Sequence, residues 1–306
     1  MLHSSRKRYA LTDSPFYRLR SKRRLAQILL ASPVGLQRIL RRQQNYTARW
    51  KSKIEDEKWL SSPPPSEEAP NYRLIEIPMP DLKAVQSRIA NLLSRVAPPD
   101  YLFSPVKGRS YVDNASRHLG AVEFQLLDVA DYFPSCSANK VAWFFHTQMQ
   151  CSPDVTAILV SLVTHDQHLP QGSPCSPALA FFTNADMWEE IDRAVAETGC
   201  SLSVYADDIT ISGKYVPGAL VWKIKQIIHS HGFKVKKAKE VRLRNSPADI
   251  TGVIVRGSTR RLPNRQLKKL QDLKRAKLAA TDPVVKSLID SKIAGRLAQR
   301  RQVERL

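Results

Sequence analysis

Ser201-Leu202-Ser203-Val204-Tyr205-Ala206-Asp207-Asp208-Ile209-Thr210-Ile211-Ser212-Gly213 is the stretch around which the chain is organised. Leu202 and Val204 alternate with small polar residues, as do Ile209 and Ile211. A period of two on both sides of Ala206-Asp207-Asp208 predicts a β-hairpin with the acids at its turn. Successive strand side chains point to opposite faces, so adjacent acids cooperate only where the chain is turning. Two carboxylates held in a tight turn repel each other unless a cation neutralises them. Oxygen ligands of that charge suit Mg²⁺, which keeps waters and borrows further oxygens from a phosphate substrate. A solvated acidic turn is the other reading of the pair, and this stretch alone leaves both open.

The chain has 306 residues, 42% of them hydrophobic and 25% charged, enough to build a core of one large or two smaller domains. A net charge of +20 points to a polyanionic partner. No uninterrupted apolar run reaches bilayer-spanning length and the first residues show no signal-peptide h-region, so no membrane association is expected. Binding of this basic chain to a membrane surface stays open, but it needs an amphipathic, aromatic-rich helix that the sequence does not display. Cys136, Cys151, Cys175 and Cys200 have no paired spacing, so neither disulfides nor a zinc site is signalled and a reducing cytoplasm is expected. His165 and His168 read as two loop histidines.

Residues 1–53 carry 14 Lys or Arg against the single acid Asp13. Leu25, Ile28, Leu29, Leu36, Ile39 and Leu40 recur at helical spacing there, with a break near Ser32-Pro33. A proline-rich loop, Ser61-Ser62-Pro63-Pro64-Pro65-Ser66, precedes the strand-like Tyr72–Pro78. Asp81–Leu93 has helix periodicity, and Asp81 is its expected cap. The long irregular stretch 101–120 is of the functional kind; His118 in it also fits a core histidine bonded to backbone. Phe124–Phe133 is a buried-type strand running into Asp128 and Asp131. An acid ending an apolar strand is costly unless paired or bound to a cation, which makes Asp128 a second metal-ligand candidate.

Ser137–Gln150 is an expected helix. Leu169–Pro177 is a rigid Pro/Gly loop in which Gln171 and Gly172 can place an amide and bare backbone beside a substrate; plain entry into the helix Ala178–Glu197 is the alternative. A helix follows over Ala219–His231, then a strand from Gly232-Phe233-Lys234-Val235, and another over Ile250–Val255 interrupted by Gly252. Residues 256–306 hold 15 Lys or Arg against four acids, on two or three helices. Basic ends around an acidic middle suit a nucleic-acid clamp about a metal site.

The order of Asp128 on a strand, a Gln171-Gly172-Ser173-Pro174 loop, the Tyr205-Ala206-Asp207-Asp208 hairpin, then Gly232-Phe233 and a lysine resembles the palm of a reverse transcriptase. Within that superfamily the chain resembles bacterial retron reverse transcriptases. Asn114-Ala115-Ser116-Arg117-His118 is similar to their Asn-Ala-x-x-His signature and Ile250-Thr251-Gly252 to their Val-Thr-Gly signature. Arg73-Leu74-Ile75, Pro78, Leu82-Lys83 and Gln86 resemble the fingers, so the likeness covers about residues 45–275. Lys236 replaces the family's Asn, Lys239-Glu240 replace its Lys-Thr, and Ser61–Pro70 replaces its Gly-rich turn.

The resemblance implies an α+β right-hand polymerase. Its parts would be a basic helical extension (1–44), fingers (45–125), a palm of antiparallel sheet and helices with inserted fingers elements (126–255) and a helical thumb (256–306). It implies RNA-directed DNA synthesis by two Mg²⁺ ions. Asp128, Asp207, Asp208 and the Val129 carbonyl would hold them, the three aspartates being catalytic. Arg73, Phe133 as sugar gate, Gln171, Gly172 and Lys239 are the implied nucleotide contacts. Asn114, His118, Thr251, Gly252, Lys268, Lys269, Lys274 and Arg275 are the expected RNA contacts; for Gly252 a simple strand bulge is the alternative.

By the same resemblance, deoxynucleotides are joined to a 2′-hydroxyl of a structured noncoding RNA. The product is a branched RNA–DNA (msDNA), made in phage defence beside an effector or toxin protein. Other readings are a group II intron, diversity-generating or abortive-infection reverse transcriptase, and a scaffold whose RNA–DNA product holds a partner. A palm-like nucleotide cyclase also uses paired acids but needs no such basic flanks.

Overall fold

A computed structural model describes residues 8–55 and 57–304; residues 1–7 of the expected extension and 305–306 of the expected thumb lie outside the described residues. The chain begins with α1 (Lys22–Ile28), α2 (Pro33–Arg41), β1 (Tyr46–Ser52), β2 (Trp59–Leu60), β3 (Tyr72–Pro78) and α3 (Pro80–Leu93). Then come β4 (Leu102–Ser104), α4 (Tyr111–Ser116), β5 (Glu123–Asp128), the single turn α5 (Tyr132–Ser135), α6 (Ala138–Trp143) and α7 (Pro153–Val163). Next are α8 (Ser176–Phe182), α9 (Ala185–Ala196), β6 (Ser201–Tyr205), β7 (Asp208–Gly213) and α10 (Gly218–Ser230). The last elements are β8 (Val241–Arg244), β9 (Ala248–Ile250), β10 (Val253–Arg256), β11 (Thr259–Arg261), α11 (Asn264–Ala279) and α12 (Pro283–Glu304). The class is α+β, as expected.

The chain divides into two compact units. One runs to Pro99 and takes in Asp131–Trp188; the other holds Asp100–Ala130 and everything from Glu189 on. The expected division between residues 125 and 126 would cut through β5.

In the first unit, β1 is flanked antiparallel by β2 and β3. The break at Ser32-Pro33 is a helix start: Ser32 Oγ accepts from the Gly35 amide at 3.0 Å and Pro33 fills the first helical position. Leu82, Val85, Ile89, Leu92 and Leu93 line one face of α3 and are buried. Asp81 does not cap α3: Met79 stands at the cap position without a side-chain bond, and Asp81 forms a forked pair with Arg42 at 2.9 and 2.5 Å. The expected helix 178–197 is broken between α8 and α9, where the buried Asn184 amide donates back to the Ala180 carbonyl at 2.8 Å. That internal bond diverts a polar side chain that periodicity alone reads as one more helical residue.

The second unit contains a five-stranded sheet in the order β4-β6-β7-β5-β8; β4 runs parallel to β6 and the other neighbours are antiparallel. The predicted hairpin is β6–β7, closed by the two-residue turn Ala206-Asp207. Its small residues are not solvated: Ser203, Thr210 and Ser212 are buried beside Leu202, Val204, Ile209 and Ile211, so both faces are covered. Gly232–Val235 forms no strand, only a bridge of Val235 to Val129 flanked by bonds from Lys236 N to the Asp128 carbonyl and from Ala130 N to the Lys234 carbonyl, both 2.8 Å.

Ile250–Val255 is not one bulged strand. Thr251 and Gly252, at φ +48° and +86°, are the turn of a hairpin joining β9 to β10. With β11 these make a second sheet. Its apolar face forms a core with Val112 and Ala115 of α4, Phe124 of β5 and Val303 of α12. α11 and α12 complete the basic C-terminal region as a helical pair linked by Lys277–Asp290 at 2.6 Å. Among the described residues no helix is long and apolar enough to cross a membrane.

Candidate active site

Asp128 ends β5 and Asp208 begins β7, and the antiparallel register sets them directly opposite each other. Paired positions share a face with Cβ atoms about 4.5–5.5 Å apart, so both carboxylates leave the same side of the sheet. Asp207 occupies the turn, its carbonyl accepting from the Val129 amide at 3.0 Å. Thus the acids divide between turn and strand, where the sequence reading put both at the turn. Ala206 adopts φ +57° and its amide is held by the Ser104 carbonyl of β4 at 3.2 Å. A non-glycine residue in this region is strained, and the neighbouring strands β4 and β5 fix the turn that imposes it.

Burial, reinforced by the charges of Asp207 and Asp128 and opposed by Lys239, pushes the Asp208 carboxyl up to about 6. The cation that Asp128 meets is Lys239, whose ammonium bonds to Oδ2. Burial alone would pull the Lys239 pKa down, but that bond and the charges of the three aspartates leave it raised. Glu240, next in the chain, turns away to pair with Lys225 at 2.5 Å. Among the described residues no three His, Cys, Asp or Glu side chains are gathered so as to hold a metal ion. The donors still fit a hard cation. Asp128 is 4% exposed, burial and the neighbouring aspartates push the Asp208 carboxyl up, and a side-chain ammonium sits on the Asp128 carboxylate in a cation's stead.

Arg73, Phe133, Gln171 and Gly172 belong to the first unit. Arg73 is exposed on β3, and Phe133 is half-buried on α5 beside the Tyr132 ring at 5.8 Å. The Gln171–Gly172 loop docks on β3. The Glu76 amide donates to the Gln171 carbonyl at 2.8 Å, and the Gln171 amide donates to Glu76 Oε2 at 3.2 Å. A Cβ on Gly172, at φ +141°, would lie 2.5 Å from the Glu76 carbonyl oxygen, so only glycine fits. Ser173 Oγ donates to the buried Gln86 amide oxygen at 2.8 Å, while Gln86 Nε2 donates to Tyr46 and to the Leu162 carbonyl. The loop is therefore anchored at both ends.

His168 lies 3.0 Å and His165 3.9 Å from the Glu76 carboxylate, so the two loop histidines do have a common partner. Glu76 escaped the sequence reading because it looks like one more polar position of an alternating strand. Its interior position was the missing signal.

The expected RNA contacts separate. Lys268, Lys269, Lys274 and Arg275 are exposed along α11, and Thr251 and Gly252 form the β9–β10 turn. Asn114 and His118 are 1% and 0% exposed. Asn114 Nδ2 bonds to Thr251 Oγ1 at 3.2 Å, and the His118 ring bonds to Ser212 and Ser203 at 2.7 Å each. The His118 ring is taken up at both nitrogens inside the unit, and Asn114 is buried there with its Nδ2 bonded to Thr251, which favours an inward role for both. The alternative of a core histidine was the better reading, with serine hydroxyls in place of backbone.

A family model described as "Reverse transcriptase (RNA-dependent DNA polymerase)" matches residues 63–255, and the chain belongs to that family. Within the family the chain is similar to retron reverse transcriptases. It is 32% identical over 161 residues to the Retron Se72 reverse transcriptase of Salmonella heidelberg (strain 579083-10), covering 51% of this chain and 42% of that one. The Retron Ec86 reverse transcriptase of Escherichia coli is 28% identical over 187 residues, with 60% and 58% covered. The Retron Mx65 reverse transcriptase of Myxococcus xanthus is 32% identical over 213 residues, with 60% and 48% covered. The chain spans about half the length of the curated relatives it matches.

Proposed function

We propose that the chain is an RNA-directed DNA polymerase of a retron, with Asp128, Asp207 and Asp208 as its catalytic carboxylates. The observation that carries this reading is the register of Asp128 opposite Asp208, with Asp207 in the adjoining two-residue turn. The three aspartates and the Val129 carbonyl would hold Mg²⁺. Bound there, two such ions would stabilise the attacking and leaving oxygens of an in-line phosphoryl transfer. Asp128 would exchange its bond to Lys239 for the metal, and the released ammonium would be free to meet phosphate oxygens. Arg73 is assigned to the triphosphate, whose oxygens a guanidinium fork matches. Phe133 is assigned to exclusion of the ribose 2′-hydroxyl, and Gln171 and Gly172 to the nucleotide.

In this reading the polymerase has fingers, palm and thumb, with α11 and α12 as the thumb. Lys268, Lys269, Lys274 and Arg275 would grip the phosphate backbone, and the Thr251–Gly252 turn would approach a folded stem of the cognate noncoding RNA. Likeness to retron enzymes supports priming from an RNA 2′-hydroxyl, an msDNA product and an effector partner in phage defence. The test is incorporation of labelled deoxynucleotide on a primed RNA template with Mg²⁺. Co-purified nucleic acid is sequenced alongside to find a branched RNA–DNA. Loss of incorporation in Asp207→Asn and Asp208→Asn supports the site; full activity in both refutes it.

A further inference from the structure

The Asn114–His118 segment links two features otherwise far apart in sequence. His118 is completely buried, with Nδ1 2.7 Å from Ser212 Oγ on β7 and Nε2 2.7 Å from Ser203 Oγ on β6. Ser212 is paired with Ser201, so Ser203 lies diagonally across the hairpin, and one imidazole spans both strands. By strand alternation Ser212, Thr210 and Asp208 leave β7 on one face, the face also taken by Asp128. Burial, with the nearby Arg117 charge, lowers the His118 pKa to about 3. A neutral imidazole donates from one nitrogen and accepts at the other, so two hydroxyls satisfy both ring nitrogens.

One helical turn earlier, Asn114 bonds to Thr251 Oγ1, which in turn bonds to the Tyr111 carbonyl at 3.3 Å. Thr251 is β-branched and sits at φ +48°, a strained conformation that needs such restraint. The start of α4 is itself fixed by a capping box between Ser110 and Asp113.

We propose that Asn114 and His118 are positioning residues: His118, just beyond α4, locks the two strands of the hairpin that carries Asp207 and Asp208, and Asn114 on α4 holds the Thr251–Gly252 turn. The proposal rests on the polymerase reading above. It assigns the Asn-Ala-x-x-His segment a role inside the protein, with no contact to RNA. Loss of the imidazole loosens the hairpin and misplaces the carboxylates, which slows the chemical step and leaves nucleotide and RNA affinity nearly unchanged.

The test compares wild type, His118→Phe, Ser203→Ala and the triple variant His118→Phe/Ser203→Ala/Ser212→Ala. The readouts are kcat and KM for nucleotide addition, RNA affinity, melting temperature, and amide exchange across residues 201–213. His118→Phe should lower kcat by roughly tenfold or more, with KM and RNA affinity within about twofold. Exchange across the hairpin should rise. The triple variant removes the orphaned hydroxyls, so melting temperature should recover while kcat stays low.

Recovery of kcat together with stability in the triple variant would reduce His118 to packing and overturn the proposal. So would lost RNA affinity with unchanged kcat. If His118→Phe does not fold, Ser203→Ala carries the same split at smaller size. If the wild type makes no DNA, the polymerase reading fails on its own account; hairpin exchange then decides, and unchanged exchange in Ser203→Ala overturns the lock.

Discussion

Asp208→Asn removes the carboxyl that its surroundings hold furthest from its ordinary state. Its pKa is pushed from 3.8 to about 6, first by burial and then by Asp207. A folded pKa above the unfolded one means the favourable contribution is full below about 3.8 and lost as pH rises through about 6. Two units at about 1.4 kcal/mol each give about 3 kcal/mol as the largest cost of ionising Asp208 in the folded chain. Asp208 is only partly buried and Lys239 is close, so about 1–2 kcal/mol is the reasonable expectation after screening. For a chain of this size that is roughly 2–6 °C in melting temperature. The assay is thermal unfolding by circular dichroism in EDTA, at pH 8 and pH 4. Asp208→Asn should melt higher than wild type at pH 8 and level with it at pH 4, where Asp208 is already protonated. Added Mg²⁺ should raise wild type more than the variant. An equal difference at both pH values, or none at pH 8, would refute the reasoning.

Other perturbations test separate parts. His118 has a folded pKa depressed to about 3, so its contribution is full above about 6.5 and lost as pH falls toward 3. Near pH 5 wild type should lose about 2 kcal/mol on this account and His118→Phe none, which paired urea titrations at pH 7.5 and pH 5 would show. Phe133→Ala should admit ribonucleotides while lowering overall rate, read from paired dNTP and NTP incorporation; unchanged selectivity would place the gate elsewhere. Gly172→Ala puts a Cβ against the Glu76 carbonyl, so it should raise KM for nucleotide several-fold or destabilise the first unit; parental kinetics and melting would contradict the close packing. Neutralising Lys268, Lys269, Lys274 and Arg275 should reduce the salt slope of RNA binding by roughly 3, for cognate and random RNA alike.

The paired acids were legible because a hairpin writes its period directly into the chain, and Asp128 because an acid ending Phe124–Leu127 has no cheap apolar explanation. Other features depend on partners distant in sequence. Asp81 has the residue type of a cap, but Arg42 lies within reach and takes it. Thr251-Gly252 looks like a strand interruption until β9 and β10 fold back on each other. The burial of Ser203 and Ser212 was not legible, because alternation shows only that two faces differ, and here both are buried. Lys239 was expected only as a nucleotide contact, by resemblance, and its bond to Asp128 follows from the fold bringing residue 239 next to the end of β5.

The central claim is that Asp128, Asp207 and Asp208 together make DNA on RNA. Its most direct test is single-nucleotide extension of a primed RNA template by purified wild type, Asp128→Asn, Asp207→Asn and Asp208→Asn, with folding checked by circular dichroism. Wild type should extend with Mg²⁺ and stop in EDTA, and each folded variant should fall by at least roughly a hundredfold. Extension near the wild-type rate by any folded variant would contradict the account.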